Sequence, residues 1–263
     1  MKETFKEFVA RRKFEIKEQI SKMVKKPCLV IVQVGDIDAS NRYVAGKLRD
    51  CIEVGVEAQL SKFDESVSEA DLLQVVGALN EDDSVDGFIV QLPLPKHIDP
   101  NKITEAINPK KDVDGFSKLA KVNPATPQGI IDYLAAQDYD FKDKNAVVIG
   151  RSNIVGKPMA RLLLEKNCNV TVLHSKTSDA NKRFYVEGAD LIVTAVGKND
   201  VLTNEYKYKD GAVVIDVGMN RDAEGKLIGD CARGLNVAFQ SPVPGSVGLT
   251  TRLTLITNLL KLC

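Results

Sequence analysis

The stretch from Ala146 to Pro158 constrains the fold more than any other part of the chain. Ala146 to Ile149 is a short apolar run rich in β-branched residues, which is typical of a strand buried on both faces. Gly150 ends this run, and Val155 to Lys166 then carries apolar residues at helical spacing. A strand, a glycine turn and a helix N-terminus bring backbone N–H groups and the positive end of the helix dipole to one point. The pattern therefore predicts a phosphate-binding site.

The glycines of this stretch do not form a complete dinucleotide-binding fingerprint. At Gly-x-Gly-x-x-Gly spacing the chain has Gly150, Ser152 and Val155, and the next glycine is Gly156. On the motif alone, an ordinary strand-to-helix junction stays an alternative.

The residues after the next predicted strand, Asn169 to Leu173, indicate which dinucleotide would bind. An NAD site usually has an acidic residue about 20 residues after the glycine turn, but here the strand is followed by His174, Ser175 and Lys176. Because a carboxylate would repel a 2′-phosphate and basic groups attract one, the sequence predicts NADP, with Arg151 as a further cation. The alternative is that these cations are simply solvated at the surface.

Composition limits the classes of function. A chain of 263 residues can form one large or two moderate domains. Lysine plus arginine and aspartate plus glutamate are equal at 36 each, so we expect no nucleic-acid or membrane partner. No apolar run approaches the roughly 20 residues that a bilayer requires, and the first residues do not resemble a signal peptide. The five scattered cysteines indicate a reducing cytoplasm, and the two distant histidines suggest no metal site.

Helical and strand patterns alternate along the chain, which predicts an α/β fold. Tyr43 and Lys47 lie four residues apart in a predicted helix and therefore share one face. Gln91 lies near the carboxyl end of a predicted strand that Pro93 and Pro95 terminate, where ligands bind in open α/β sheets. Spacing alone would also fit an exposed lysine, a half-buried tyrosine and an amide bonded to the backbone.

Seven stretches together resemble the bifunctional methylenetetrahydrofolate dehydrogenase/methenyltetrahydrofolate cyclohydrolases. They lie at 40–47, 90–95, 111–116, 150–158, 174–177, 214–218 and 242–248, and the resemblance runs from about residue 28 to the C-terminus. It implies an N-terminal α/β catalytic domain over 1–122, completed by a C-terminal helix at 247–263, and a Rossmann NADP-binding domain over 123–246. It further implies a cytoplasmic homodimer that binds tetrahydrofolate derivatives in the cleft between the domains.

The resemblance also implies roles for individual residues. Lys47 corresponds to the central catalytic group, Tyr43 lies over the folate, Gln91 holds Lys47, and Asp114 anchors the pterin. An aspartate in an Asp-Gly pair that bonds its own backbone is the alternative for Asp114. The other substrate-binding positions are Val90, Leu92, Pro244, Gly245, Ser246, Val247 and Gly248. The NADP-contacting positions are Gly150, Arg151, Ser152, Ser175 and Met219.

The chain departs from the family pattern in the loop that is expected to line the folate site. Ser246, Leu249 and Thr250 stand where the family usually has glycine, proline and methionine. The expected reactions are hydride transfer from methylenetetrahydrofolate to NADP and hydrolysis of the methenyl product to formyltetrahydrofolate. A dehydrogenase that has lost the hydrolytic step is the alternative enzyme, and a non-catalytic folate- or nucleotide-binding protein is the alternative from another class.

Overall fold

The structure is a computed structural model, and it describes residues 1–263 with the exception of the Ala39 side chain. The chain divides into two compact units. The N-terminal unit comprises Ala10–Ala125 and Arg252–Cys263, and the C-terminal unit comprises Met1–Val9 and Thr126–Thr251. This division departs from the predicted domains in the first nine residues, which lie with the C-terminal unit. The ring of Phe5 stacks on that of Tyr133 there, with centroids 3.6 Å apart.

The N-terminal unit is built on a three-stranded parallel sheet. Its strands are β1 (Cys28–Val34), β2 (Glu57–Phe63) and β3 (Gly87–Val90), in the order β2-β1-β3. Every residue of β1 is buried, as expected for the central strand of a parallel sheet. The helices of this part of the chain are α1 (Phe5–Ser21), α2 (Asp38–Val54), α3 (Glu69–Glu81) and α4 (Pro100–Ala106).

The C-terminal unit contains a five-stranded parallel sheet. The strands are β4 (Asn145–Ile149), β5 (Asn169–Leu173), β6 (Leu191–Thr194), β7 (Val213–Asp216) and β10 (Phe239–Gln240), in the order β10-β7-β6-β4-β5. A small antiparallel pair, β8 (Asn220–Arg221) and β9 (Leu227–Ile228), follows β7. The helices are α5 (Ala125–Ala136), α6 (Gly156–Glu165) and α7 (Asp179–Glu187). The predicted α/β architecture with parallel sheets is confirmed.

The strand order gives the C-terminal sheet a topological switch point. After β4 the chain crosses to β5 on one side, and after β5 it crosses to β6 on the other side of β4. Ligands of open α/β sheets bind at the carboxyl ends of strands where the order reverses in this way. Gly150 immediately follows β4 at this end of the sheet.

The last helix, α8 (Val247–Leu262), connects the C-terminal unit to the end of the N-terminal unit, since the boundary falls after Thr251. Asn258 is fully buried, and its Nδ2 donates to the carbonyl oxygens of Val113 and Asn123. Within the described part of the chain, no helix combines the length and apolarity needed to cross a membrane.

Candidate active site

Helix α2 presents the lysine around which the candidate site is built. Lys47 is 4% exposed, and its Nζ lies 5.1 Å from the centroid of the Tyr43 ring. This arrangement follows from their four-residue spacing, which places both on the same helix face. A buried ammonium group over an aromatic ring is a cation–π contact.

Gln91 reaches Lys47 from the end of β3. Its backbone N–H donates to Val32 O at 2.8 Å, which continues the parallel ladder by one residue. Its side-chain Oε1 accepts a hydrogen bond from Lys47 Nζ at 3.1 Å, and its Nε2 donates to Leu92 O at 2.7 Å. Both ends of the amide are therefore bonded, which fixes the side chain with its oxygen towards the lysine.

Asp114 lies in a tight turn that a second, buried carboxylate shapes. Asp112 accepts from Gly115 N at 2.9 Å and from Ser117 N at 2.8 Å. Gly115 has a φ of +70°, and a Cβ there would lie 2.7 Å from the carbonyl carbon of Asn123. Only glycine fits at this position, and the two hydrogen bonds to Asp112 hold the turn that carries Asp114 in a fixed conformation. The sequence predicts no role for Asp112, although an aspartate three residues before a glycine is a turn signal.

Lys47 and Asp114 perturb each other's pKa values. Burial lowers the pKa of Lys47 below its ordinary value, the negative charge of Asp114 opposes this, and the Arg252 guanidinium adds to it. Burial raises the pKa of Asp114, Lys47 opposes the rise, and Asp112 adds to it. Two titratable groups whose pKa values have moved towards neutrality are suited to proton transfer near pH 7.

The remaining predicted substrate residues differ in their exposure and in the unit to which they belong. The Val90 side chain is 2% exposed and packs in the core of the N-terminal unit, so it can offer a ligand only its backbone. Leu92 is partly buried. The predicted folate loop, 244–248, belongs to the C-terminal unit.

The unusual Ser246 points into its own loop. Its side chain is buried, and its Oγ donates to Pro242 O at 2.5 Å. Thr250, which is also unusual, is buried and donates through Oγ1 to Val247 O at 3.0 Å. Both hydroxyl groups are therefore satisfied within the loop and the first turn of α8.

The glycine turn after β4 is closed by backbone contacts that exclude larger residues. A Cβ at Gly150 would lie 2.3 Å from Ala195 O, and a Cβ at Gly156 would lie 2.3 Å from Gly150 O. Ser152 Oγ accepts from Val155 N at 3.1 Å and from Gly156 N at 3.2 Å. This close-packed glycine cradle, at a helix N-terminus and a switch point, fits a dinucleotide phosphate.

The other predicted NADP residues lie exposed on the C-terminal unit. Arg151 follows the cradle glycine, Ser175 follows β5, and Met219 follows β7 with 65% of its surface exposed. The loop after β5 is ordered by its own bonds, since His174 N donates to Thr177 Oγ1 and Lys176 N donates to His174 Nδ1.

A buried carboxylate for which the sequence predicts no role shapes the neighbouring loop. Asp230 is fully buried and accepts from Val196 N at 2.6 Å, Gly197 N at 3.0 Å and Lys198 N at 3.1 Å. These three amides follow β6, beside the cradle, so Asp230 sets the shape of the loop at the switch point. No local pattern indicates this contact, because more than thirty residues separate the partners.

Comparisons with known proteins identify a family for both parts of the chain. The family model for the catalytic domain of tetrahydrofolate dehydrogenase/cyclohydrolase matches residues 4–114, and the model for its NAD(P)-binding domain matches residues 124–263. The bifunctional protein FolD of Paracidovorax citrulli is 48% identical over 265 residues, which cover 96% of this chain and 91% of that protein.

Two solved structures have the same fold. The bifunctional enzyme FolD from Campylobacter jejuni is 38% identical, with a TM-score of 0.92 over 97% of this chain and 95% of that one. The Trypanosoma brucei methylenetetrahydrofolate dehydrogenase-cyclohydrolase, complexed with NADP and an inhibitor, is 28% identical, with a TM-score of 0.92 over 99% and 96%. The chain belongs to the tetrahydrofolate dehydrogenase/cyclohydrolase family.

Proposed function

We propose that this enzyme oxidises methylenetetrahydrofolate with NADP and hydrolyses the methenyl product to formyltetrahydrofolate, using Lys47, Tyr43, Gln91 and Asp114 for catalysis. The observation that carries the proposal is the buried Lys47, which donates to Gln91 Oε1 at 3.1 Å beside the Tyr43 ring and in the field of Asp114. A lysine in such surroundings can exchange protons at neutral pH, which an exposed lysine with a pKa of about 10.4 cannot do efficiently.

Substrate binding is assigned to Asp114 and Tyr43. The pterin ring presents a ring N–H beside an exocyclic amine, and a carboxylate can accept from both at once. The Tyr43 ring offers a flat apolar surface for the pterin. The remaining contacts are assigned to the backbone around Val90 and Leu92 and to the 244–248 loop. The corresponding domains are 1–122 with 247–263 for folate and 123–246 for NADP.

NADP is assigned to the glycine cradle. Backbone N–H groups around Gly150 and Ser152 would hold the diphosphate, and Arg151 and Ser175 would bind the 2′-phosphate, with Met219 at the cofactor surface. When bound, NADP accepts a hydride. The protein's own contribution to this step is to hold the two ligands in alignment, which supplies much of the rate enhancement of a bimolecular reaction.

Hydrolysis depends on proton transfers by the lysine. Water adds to the cationic methenyl carbon, and neutral Lys47 takes the proton that this water loses. The resulting ammonium then returns a proton to the ring nitrogen as its bond to the carbon breaks. The hydroxyl group of the adduct loses its proton to solvent in this step, which leaves the formyl group on the other nitrogen. Gln91 keeps Lys47 Nζ in place throughout, because its Oε1 can accept from the lysine in both protonation states.

The absorbance of the methenyl chromophore tests the proposed function. With methylenetetrahydrofolate and NADP, we expect the chromophore to form and then to decay as it is hydrolysed. Chromophore that forms and then decays no faster than in buffer would support a dehydrogenase without hydrolytic activity. A chain that binds folate but forms no chromophore would support a binding protein.

We further propose a cytoplasmic homodimer. The free state of all five cysteines is in keeping with a reducing compartment. Light scattering of the purified protein should then give twice the chain mass of 28.8 kDa, and a mass of one chain would contradict the dimer.

A further inference from the structure

Two charged side chains that the proposed mechanism does not use, the buried Asp50 and the partly buried Arg252, pair beside the turn of α2 that carries Lys47. Asp50, on α2, is 2% exposed. The Nε of Arg252, on α8, donates to Asp50 Oδ2 at 2.5 Å, and Lys13 Nζ donates to Asp50 Oδ1 at 2.7 Å. Removing charges from water costs free energy, and this cost can exceed the attraction between the two charges. The Asp50–Arg252 pair therefore need not stabilise the fold, and it can serve a function instead.

The absence of a side chain at Gly46 allows Arg252 to pack on the turn of α2 that carries Lys47. A Cβ at Gly46 would lie 3.3 Å from both Cδ and Nε of Arg252, so a larger residue would push the guanidinium away. Gly46 directly precedes Lys47 in the chain. The Arg252 side chain is 15% exposed, which leaves its charge weakly screened by solvent.

Several elements direct charged or titratable groups towards Lys47. Tyr43 and Cys51 come from α2, Asp114 comes from the turn shaped by Asp112, and Arg252 comes from α8. Burial is the largest cause that lowers the pKa of Lys47, and the charge of Asp114 acts to raise it, while burial raises the pKa of the Cys51 thiol to about 12 and so keeps it neutral. Arg252 is the one cation that acts in the same direction as burial.

We propose that Arg252 is a positioning residue for the hydrolytic step: fixed by Asp50 and by the space at Gly46, it keeps a permanent positive charge beside Lys47 and favours the neutral, proton-accepting lysine. An arginine suits this task because its guanidinium stays protonated at every pH at which the protein is folded. The inference rests on the proposed function, since it assigns Arg252 to the step that Lys47 performs.

The test compares the full-length wild type with Arg252→Met, Arg252→Lys and the double variant Asp50→Asn/Arg252→Met. The double variant guards against misfolding, because it leaves no unpaired carboxylate at position 50. For each protein, the pH profile of methenyltetrahydrofolate hydrolysis is measured, and Lys47 is titrated directly by side-chain NMR. Loss of the signal in Lys47→Met assigns the resonance.

We expect both proteins that carry Arg252→Met to titrate Lys47 at higher pH than the wild type, and the acid limb of hydrolysis to move with it. Arg252→Lys should keep the wild-type titration, since it keeps the charge. An unchanged Lys47 titration in the folded double variant would overturn the inference, and so would an equal shift in Arg252→Lys and Arg252→Met. A wild type with no hydrolysis would contradict the proposed function, while the NMR titration would still decide whether Arg252 controls Lys47.

Discussion

Lys47 is buried and Asp114 is half-buried, and the protein holds both ionisable side chains there at a cost in stability. Burial moves the pKa of Lys47 down and that of Asp114 up, so each charged form is less favourable in the folded state than in the unfolded chain. Enzymes often accept such a cost at an active site. Two predictions at the residue scale follow from these shifts and from the assignment of Asp114 to the pterin.

Replacement of Asp114 by alanine should weaken folate binding and spare NADP. A charge-assisted hydrogen bond contributes about 1.5–3 kcal/mol, so the folate KM should rise roughly ten- to a hundredfold. Isothermal titration with NADP should give the wild-type affinity, because the NADP cradle belongs to the other unit. Asp83→Ala, at an exposed position, is the matched control. An equal loss of NADP affinity would mean that Asp114 instead maintains the fold.

The double variant Lys47→Met/Asp114→Asn should be more stable than the wild type at neutral pH. Because burial disfavours the charged form of each group, replacing both by neutral residues of similar volume should remove this cost. Thermal unfolding followed by circular dichroism measures the difference. A double variant that unfolds below the wild-type temperature at neutral pH would contradict this prediction.

The pH dependence of that difference has a fixed sign. For Asp114, the folded pKa is raised, so wild-type stability falls as pH rises from the ordinary to the raised value. For Lys47, the folded pKa is lowered, so wild-type stability rises as pH rises from the lowered to the ordinary value. The advantage of the double variant should therefore be largest at intermediate pH and shrink towards both extremes.

At the scale of elements, the turn between β4 and α6 is closely packed and is also the proposed NADP site. Gly156→Ala should destabilise the protein by about 1–3 kcal/mol, as is usual for overpacking, because the added Cβ would meet the backbone of Gly150 at 2.3 Å. The same displacement should weaken NADP binding in a fluorescence titration.

Gly77→Ala provides the control for this prediction. Gly77 lies within α3, and a Cβ there would meet no atom within 4 Å. Alanine is favoured over glycine in a helix by about 0.5–1 kcal/mol, so this variant should be slightly more stable than the wild type. If Gly156→Ala behaves like Gly77→Ala, the turn is not a close-packed cradle.

The sequence predicts elements with strong local patterns and misses those without them. β5 has its predicted bounds, β4 begins one residue earlier than predicted, and α6 is one residue shorter than predicted at each end. Helix α7 was not predicted, because Val186 is its one buried residue within the described part of the chain and apolar periodicity is lacking. Strand β10 is two residues long, too short to show any alternation.

In the candidate site, too, the sequence predicts the features that have a local pattern and misses the contacts between distant residues. The spacing of Tyr43 and Lys47 and the strand end before Gln91 are local signals, so they could be found in the sequence. The Asp50–Arg252 pair joins residues 202 positions apart, and no local pattern indicates it. Likewise, the stacking of Phe5 on Tyr133 assigns the first residues to the C-terminal unit only once the chain is folded.

At the scale of the whole molecule, the proposed function requires both units, with folate assigned to one and NADP to the other. Because His174, Ser175 and Lys176 stand where an NAD enzyme has an acid, we expect kcat/KM to be at least about tenfold higher with NADP than with NAD. Arg151→Gln should reduce this ratio by lowering kcat/KM with NADP and leaving that with NAD nearly unchanged. Equal wild-type efficiency with both cofactors would contradict the assigned 2′-phosphate site.

The most direct test of the central claim is the fate of the methenyl chromophore in Lys47→Met, compared with the wild type and with Lys26→Met, which alters an exposed lysine of the same unit. Methionine keeps the apolar stem of the lysine and removes its ammonium group. Hydride transfer needs mainly alignment of the ligands, whereas hydrolysis needs a group that exchanges protons. We predict that Lys47→Met accumulates the methenyl intermediate while the other two proteins consume it; hydrolysis by Lys47→Met at the wild-type rate would contradict the account.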